Sequence, residues 1–279
     1  MNDRKSSREH SSRKFYIGLA RAAGGSILFS VPMLMTMEMW SLGFYMSPLR
    51  LALMSVLSIP LLAGLAYYSG FEKRLSLRGA IVDAFVAYAV GFATSTIILG
   101  FLAVIKVDMS ATEIIGKVIL QTIPAGMGAV LASSQMGGDE DKGSEDGKET
   151  SYWAELFLMI AGSLFLAFNM APTEEMVVIA HAMSAWHSLL LILLSLTIMH
   201  AFVYKLEFRG QETYPESHSQ WAVLSRFTIV GYAIALLVSF YCMWSFGRND
   251  GNGATIIVSQ VIVLGFPASI GAASARLLL

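Results

Sequence analysis

The sequence predicts an all-α polytopic membrane protein of about eight transmembrane helices, arranged as two tandem four-helix repeats of the same orientation. Three observations carry this reading: a composition that expects lipid, apolar runs of membrane-crossing length, and an internal match at constant spacing. Of the 279 residues, 55% are hydrophobic and 14% are charged, with a mean hydropathy of +0.61. A soluble domain carries about 25% charge, so a water-facing globule is excluded. The net charge of -1 gives no basic bias toward nucleic acid. The one cysteine, Cys242, cannot form an internal disulfide and reads as a packing residue.

Runs able to cross about 30 Å of hydrocarbon fall at 22–46, 49–70, 79–104, 112–134, 154–182, 186–206, 221–246 and 254–275. Residues 1–21 open with "MNDRKSSREHSSRK" and read as a retained cytoplasmic polar tail, because the following run is too long for a signal-peptide core. Residues 22–135 form the first four-helix repeat and 151–279 the second. Between them, 136–150 ("MGGDEDKGSEDGKET") is acidic and Gly-rich, with no apolar periodicity to bury, and reads as a solvated linker.

The Lys and Arg residues set the expected orientation. Arg4, Lys5, Arg8, Arg13, Lys14, Arg21, Lys73, Arg74, Arg78, Lys142, Lys148, Lys205, Arg209 and Arg276 fall on the side of the N-terminus, and only Arg50, Lys106 and Arg248 fall opposite. Positive residues are retained in the cytoplasm during insertion, which places both termini there.

The internal match is the most informative feature. Shifting residues 25–72 by 137 lays "GSILFSVPMLMTMEMW" on "GSLFLAFNMAPTEEMV" without a gap, and 13 of 48 positions are identical. Such a biased composition would give about four by chance. The identities include Gly25 with Gly162, Thr36 with Thr173, Glu38 with Glu175, and Met39 with Met176. Further on, "IPAGMGA" (123–129) lies on "FPASIGA" (266–272), pairing Pro124 with Pro267 and Gly128 with Gly271. Four spans per copy is an even number, so the copies enter the bilayer in one orientation, about an axis along the membrane normal.

The duplicated motif Thr-x-Glu-Met carries the candidate chemistry. With the first span running to Tyr45, Glu38 would lie about seven residues, or roughly 10 Å, inside the bilayer, where an unpaired carboxylate costs about 1 to 3 kcal/mol. A cost kept in both copies points to a role in binding a cation or proton; the alternative is that both glutamates only cap or kink helices and meet a water layer at the lipid headgroups. In "APTEE", Pro172 lacks an N–H, Thr173 can cap a helix start, and Glu174 and Glu175 then occupy a first turn. In the first copy the proline stands four positions ahead of Thr36, so a softer break is expected there. The expected ion-binding or pathway residues are therefore Glu38, Glu175, Glu174, Thr36 and Thr173, with His181 as a relay two turns from Glu174. Glu38 and Glu175 would be the ligands if a metal cation binds. The alternative for His181, and for His187 and His200, is an ordinary hydrogen-bonded histidine. Glu113 and Lys117, spaced i,i+4, should satisfy each other. Pro124 and Pro267, each ahead of small side chains, should shape close helix packing.

No H-E-x-x-H, G-x-S-x-G, phosphate-binding glycine loop or Cys/His metal spacing is present, so a non-enzyme without a cofactor is expected. Two functions remain. In one, the chain is a channel or transporter for a cation, such as a proton or Ca²⁺, with Glu38 and Glu175 beside a central axis, Asp108, Glu113, Glu174 and Asp250 nearby, and the option of a homodimer about the same axis. In the other it is a non-transporting scaffold or sensor subunit whose glutamates pair with a basic segment of a partner chain. The residues "FSVPMLMTMEMW" and "NMAPTEEM", with the tandem layout, resemble a family of bacterial integral membrane proteins of unknown function. The resemblance covers nearly the whole chain outside the tail. It implies a multi-pass protein of the bacterial inner membrane and brings no activity with it.

Overall fold

A computed structural model describes residues 2–69, 76–135, 152–204 and 224–275, with side chains described for 16–68, 76–132, 152–202, 224–225 and 227–275. All regular structure among them is helical. The elements are α1 (Asn2–Leu34), α2 (Met37–Tyr45), α3 (Pro48–Ser69), α4 (Leu77–Phe101), α5 (Ala111–Gln135), α6 (Tyr152–Met170), α7 (Glu174–Ala182) and α8 (Ala185–Tyr204). A π-helical turn (Leu224–Ile229) then leads into α9 (Val230–Ser245), and α10 (Ala254–Ala275) ends the described chain. Eight of these helices are long and apolar enough to cross a membrane. The protein is an all-α, multi-pass membrane protein.

The chain divides into two compact units, Met1–Asp146 and Gly147–Leu279. The first holds α1–α5 and the second α6–α10, in matching order. The helices α2 and α7 each have nine residues and start 137 positions apart, as do α3 and α8; α5 and α10 start 143 apart. Each unit is built around its last helix. In the first unit, α5 touches α1, α2, α3 and α4; in the second, α10 touches α6, α7, α8 and α9. The core helix is held by a glycine crossing. A Cβ on Gly25 would collide with the carbonyl oxygen of Gly128, and one on Gly162 would collide with that of Gly271. Lipid tails offer no hydrophobic drive for helices to associate, so such backbone-to-backbone approach supplies the van der Waals contact instead. The small residues following Pro124 and Pro267 thus serve packing.

Two expected spans are corrected. The runs 22–46 and 154–182 are not continuous helices: each stops, turns through an extended threonine and restarts as a nine-residue helix. Nine residues reach about 14 Å, too short to cross, and the crossing portions are Tyr16–Leu34 and Tyr152–Met170. Among the described residues each unit therefore has five α-helices, four of them spans. The polar opening also differs from a simple tail, since α1 is helical from Asn2. The linker 136–150 lies outside the described residues.

Candidate functional site at the two helix breaks

Both breaks are built alike. Thr36 (φ -98°, ψ 120°) and Thr173 (φ -72°, ψ 147°) occupy the N-cap positions of α2 and α7 in extended conformation. Neither hydroxyl caps the new helix, although the sequence suggested a cap by Thr173. Each instead donates backwards to the helix just ended, Thr36 Oγ1 to the carbonyl of Pro32 and Thr173 Oγ1 to that of Met170 at 2.9 Å. The next residues explain the identities between the copies. Met39 and Met176 are buried and anchor the short helices to the core, while Glu38, Glu174 and Glu175 stay in the first turn, where the helix dipole favours a carboxylate. Glu38 is half-buried and the other two are exposed. None of the three has a hydrogen-bond or ion-pair partner among the described residues.

Ending a helix frees carbonyls, and each unit satisfies them from a different element. At the first break, Gln121 Nε2 on α5 donates to Met33 O (3.0 Å) and the indole of Trp40 to Leu34 O (2.7 Å). At the second, Arg248 Nη2 donates to Pro172 O. Gln121 and Arg248 are 88 and 76 residues from the carbonyls they reach, and their pairing with the breaks had no signal in the local sequence; Trp40 lies six residues past Leu34.

The depth of the breaks follows from their neighbours. Leu34 packs in one cluster with Leu99, near the end of α4, and with Val104 just beyond it. In the second unit, Arg248 reaches Pro172 from three residues past the end of α9, and the Phe168 and Phe246 rings meet at 5.6 Å. Both breaks are thus level with the ends of adjacent spans. The helix unbroken to Tyr45, on which the figure of roughly 10 Å for Glu38 rests, is not what forms: α1 ends at Leu34 and α2 starts at Met37. The three glutamates lie in the first turns of the short helices, just past the ends of the crossing portions Tyr16–Leu34 and Tyr152–Met170.

The remaining expected residues are placed singly. His181, in the last turn of α7, is exposed with Nδ1 2.8 Å from Val177 O. His187 Nδ1 lies 2.7 Å from Ser184 Oγ and His200 Nδ1 lies 3.0 Å from Thr228 Oγ1, the ordinary hydrogen-bonded alternative in each case. Lys117 Nζ and Glu113 Oε1 pair at 2.7 Å, as their spacing indicated. Glu38 belongs to one unit and Glu174, Glu175 and His181 to the other. Among the described residues no three His, Cys, Asp or Glu side chains come together as a metal site.

No curated protein and no solved structure matches the chain. One family model does, over residues 18–279, which takes in both units and both breaks. Four spans and one acidic short helix in each half are therefore features of a member of a wider group, and the chain belongs to the family described as "Putative integral membrane protein (DUF2391)".

Proposed function

We propose that the protein is a cation channel or transporter of the bacterial inner membrane, with both termini cytoplasmic and the two acidic short helices facing outward. The observation that carries this reading is the recurrence, in both units and at one register, of a first-turn carboxylate without a partner among the described residues. At the membrane boundary such carboxylates do not strip an ion of water. They raise its local concentration, as rings of acidic side chains do at the mouths of cation pathways. A second copy of the chain about the same axis would double the set.

The test is flux of K⁺, Na⁺, Ca²⁺ and H⁺ in liposomes containing purified protein. Glu38→Gln with Glu175→Gln should reduce cation flux by on the order of tenfold at low ionic strength, and by much less at about 0.5 M salt, where surface fields are screened. Thermal stability should fall by no more than about 1 kcal/mol per glutamate, the helix-dipole contribution, since these carboxylates have no bonding partner among the described residues. Full wild-type flux in the folded double variant at low salt would remove the proposal. A wild-type chain that passes no ion, with variants that release a basic partner subunit, would favour the scaffold reading.

A further inference from the structure

The two units differ in side-chain character at the end that carries the breaks. In the first unit this end is closed by an apolar cluster of Leu34, Leu99, Val104 and Val118, with Trp40 and Ile105 against it. Backbone geometry gives the counterparts in the second unit. Leu102 N–H bonds to Ile98 O and Val104 N–H to Leu99 O, around Ala103 at φ 55°. Phe246 N–H bonds to Cys242 O and Arg248 N–H to Met243 O, around Gly247 at φ 73°. Val104 therefore corresponds to Arg248, and Ile105 to Asn249. By the 137 offset Leu34 corresponds to Ala171 and Trp40 to Val177; by the 143 offset Lys117 corresponds to Gln260. The apolar closure has lost its two largest side chains and gained a guanidinium and amides.

Several of those polar atoms are buried without a hydrogen bond among the described residues. Gln260 is 0% exposed and Asn249 9% exposed, and in each both amide atoms lack a hydrogen bond among the described residues, as does Arg248 Nε. In the first unit, by contrast, Lys117 has its carboxylate at 2.7 Å. Arg248 has no carboxylate partner among the described residues; its one side-chain bond there is to Pro172 O. A partly buried positive charge without a counter-charge among the described residues, and buried amides without hydrogen bonds at corresponding positions of the same unit, are each unfavourable unless something satisfies them.

We propose that the second unit binds a small anion at this end, with Arg248 as the charged group and the Asn249 and Gln260 amides as further donors, their spare acceptors being served by water. The first unit, closed by Leu34, Trp40, Val104 and Ile105, has no such site. This goes beyond the cation reading and does not rest on it: the acidic short helices act at the surface, and this site lies behind one of them.

The test uses the full-length protein in nanodiscs of neutral lipid, with thermal stability followed while chloride, acetate or inorganic phosphate replaces gluconate at constant ionic strength. A saturable rise in Tm with at least one of these anions is expected for the wild type. It should weaken at least tenfold in apparent affinity in Arg248→Gln and in Gln260→Leu, and persist in Lys106→Gln, which removes an exposed cation from the matching loop of the first unit. Arg248→Lys, which keeps the charge, should retain a weakened response. Gln260→Leu also covers the empty case, because replacing an unsatisfied amide in a dry core by an isostere is stabilising. A wild type indifferent to all three anions, with Gln260→Leu more stable in every buffer, would overturn the proposal. So would an equal loss of response in Lys106→Gln.

Discussion

Ala103 shows how much one residue can reveal about the relation between the units. It follows the C-cap of α4 with φ 55°, the left-handed region, where the corresponding position after α9 is Gly247 at φ 73°. The hydrogen-bond pattern around both is a helix terminator that glycine enters without a steric penalty and alanine does not. The first unit thus keeps the backbone of the motif while carrying the less suited residue. Ala103→Gly should raise stability by up to about 1 kcal/mol, less the cost of ordering a glycine, and Gly247→Ala should lower it by a similar amount. Thermal melts of the two variants in one detergent check the pair: opposite signs are expected, and equal signs would contradict the assigned equivalence. Nothing in "FLAVIK" marks Ala103 as left-handed, so this residue was not legible in the sequence. Gly247, in "FGRND", carries the usual signature of a helix stop.

At the scale of elements, what the sequence made legible was the length of apolar runs, since crossing a bilayer needs little more than that. Six of the eight crossing segments start within two residues of the expected runs, and Tyr16–Leu34 starts earlier because its helix continues from the polar opening. The break in the second copy was visible because "APT" joins a residue without an N–H to a capping residue. The break in the first copy was expected to be softer, yet it is equally complete. Local sequence underestimated it because the carbonyls it frees are captured by Gln121, 88 residues away, and by Trp40; a tertiary donor stabilises a helix end as well as a local cap does. The glycines of "AAGGS" permit a sharper test. A methyl group at Gly24 would meet open space, whereas one at Gly25 would collide with Gly128 and with the Ala132 side chain across a helix crossing. Gly24→Ala should be neutral or stabilising by up to about 1 kcal/mol through helix propensity. Gly25→Ala should cost about 1 to 3 kcal/mol, because two backbones must separate. Detergent-solubilised yield and thermal aggregation temperature distinguish them, and equal behaviour of neighbouring glycines would mean that the crossing contributes nothing.

For the whole molecule, the decisive quantity is the parity of the crossings. Four spans in each unit return the chain to the side from which it started, so the loop after α4 and the loop after α9 should emerge on one face, and the linker between the units on the other. The Lys and Arg distribution assigns the linker face to the cytoplasm. Single cysteines at Val107, at Asp250 and at Ser144 examine both statements at once. Val107 and Asp250 are exposed in the two loops, Ser144 lies in the acidic linker, and the native Cys242 is fully buried and should stay silent. An impermeant thiol reagent applied to intact spheroplasts should modify Val107→Cys and Asp250→Cys, and should reach Ser144→Cys only after the membrane is opened. If Ser144→Cys alone reacts from outside, the orientation is inverted while the duplication stands. If Val107→Cys and Asp250→Cys react from opposite sides, the units do not share an orientation. In that case Glu38 and Glu175 could not face one side of the membrane, and the proposed cation mouth would fall with the parallel repeat.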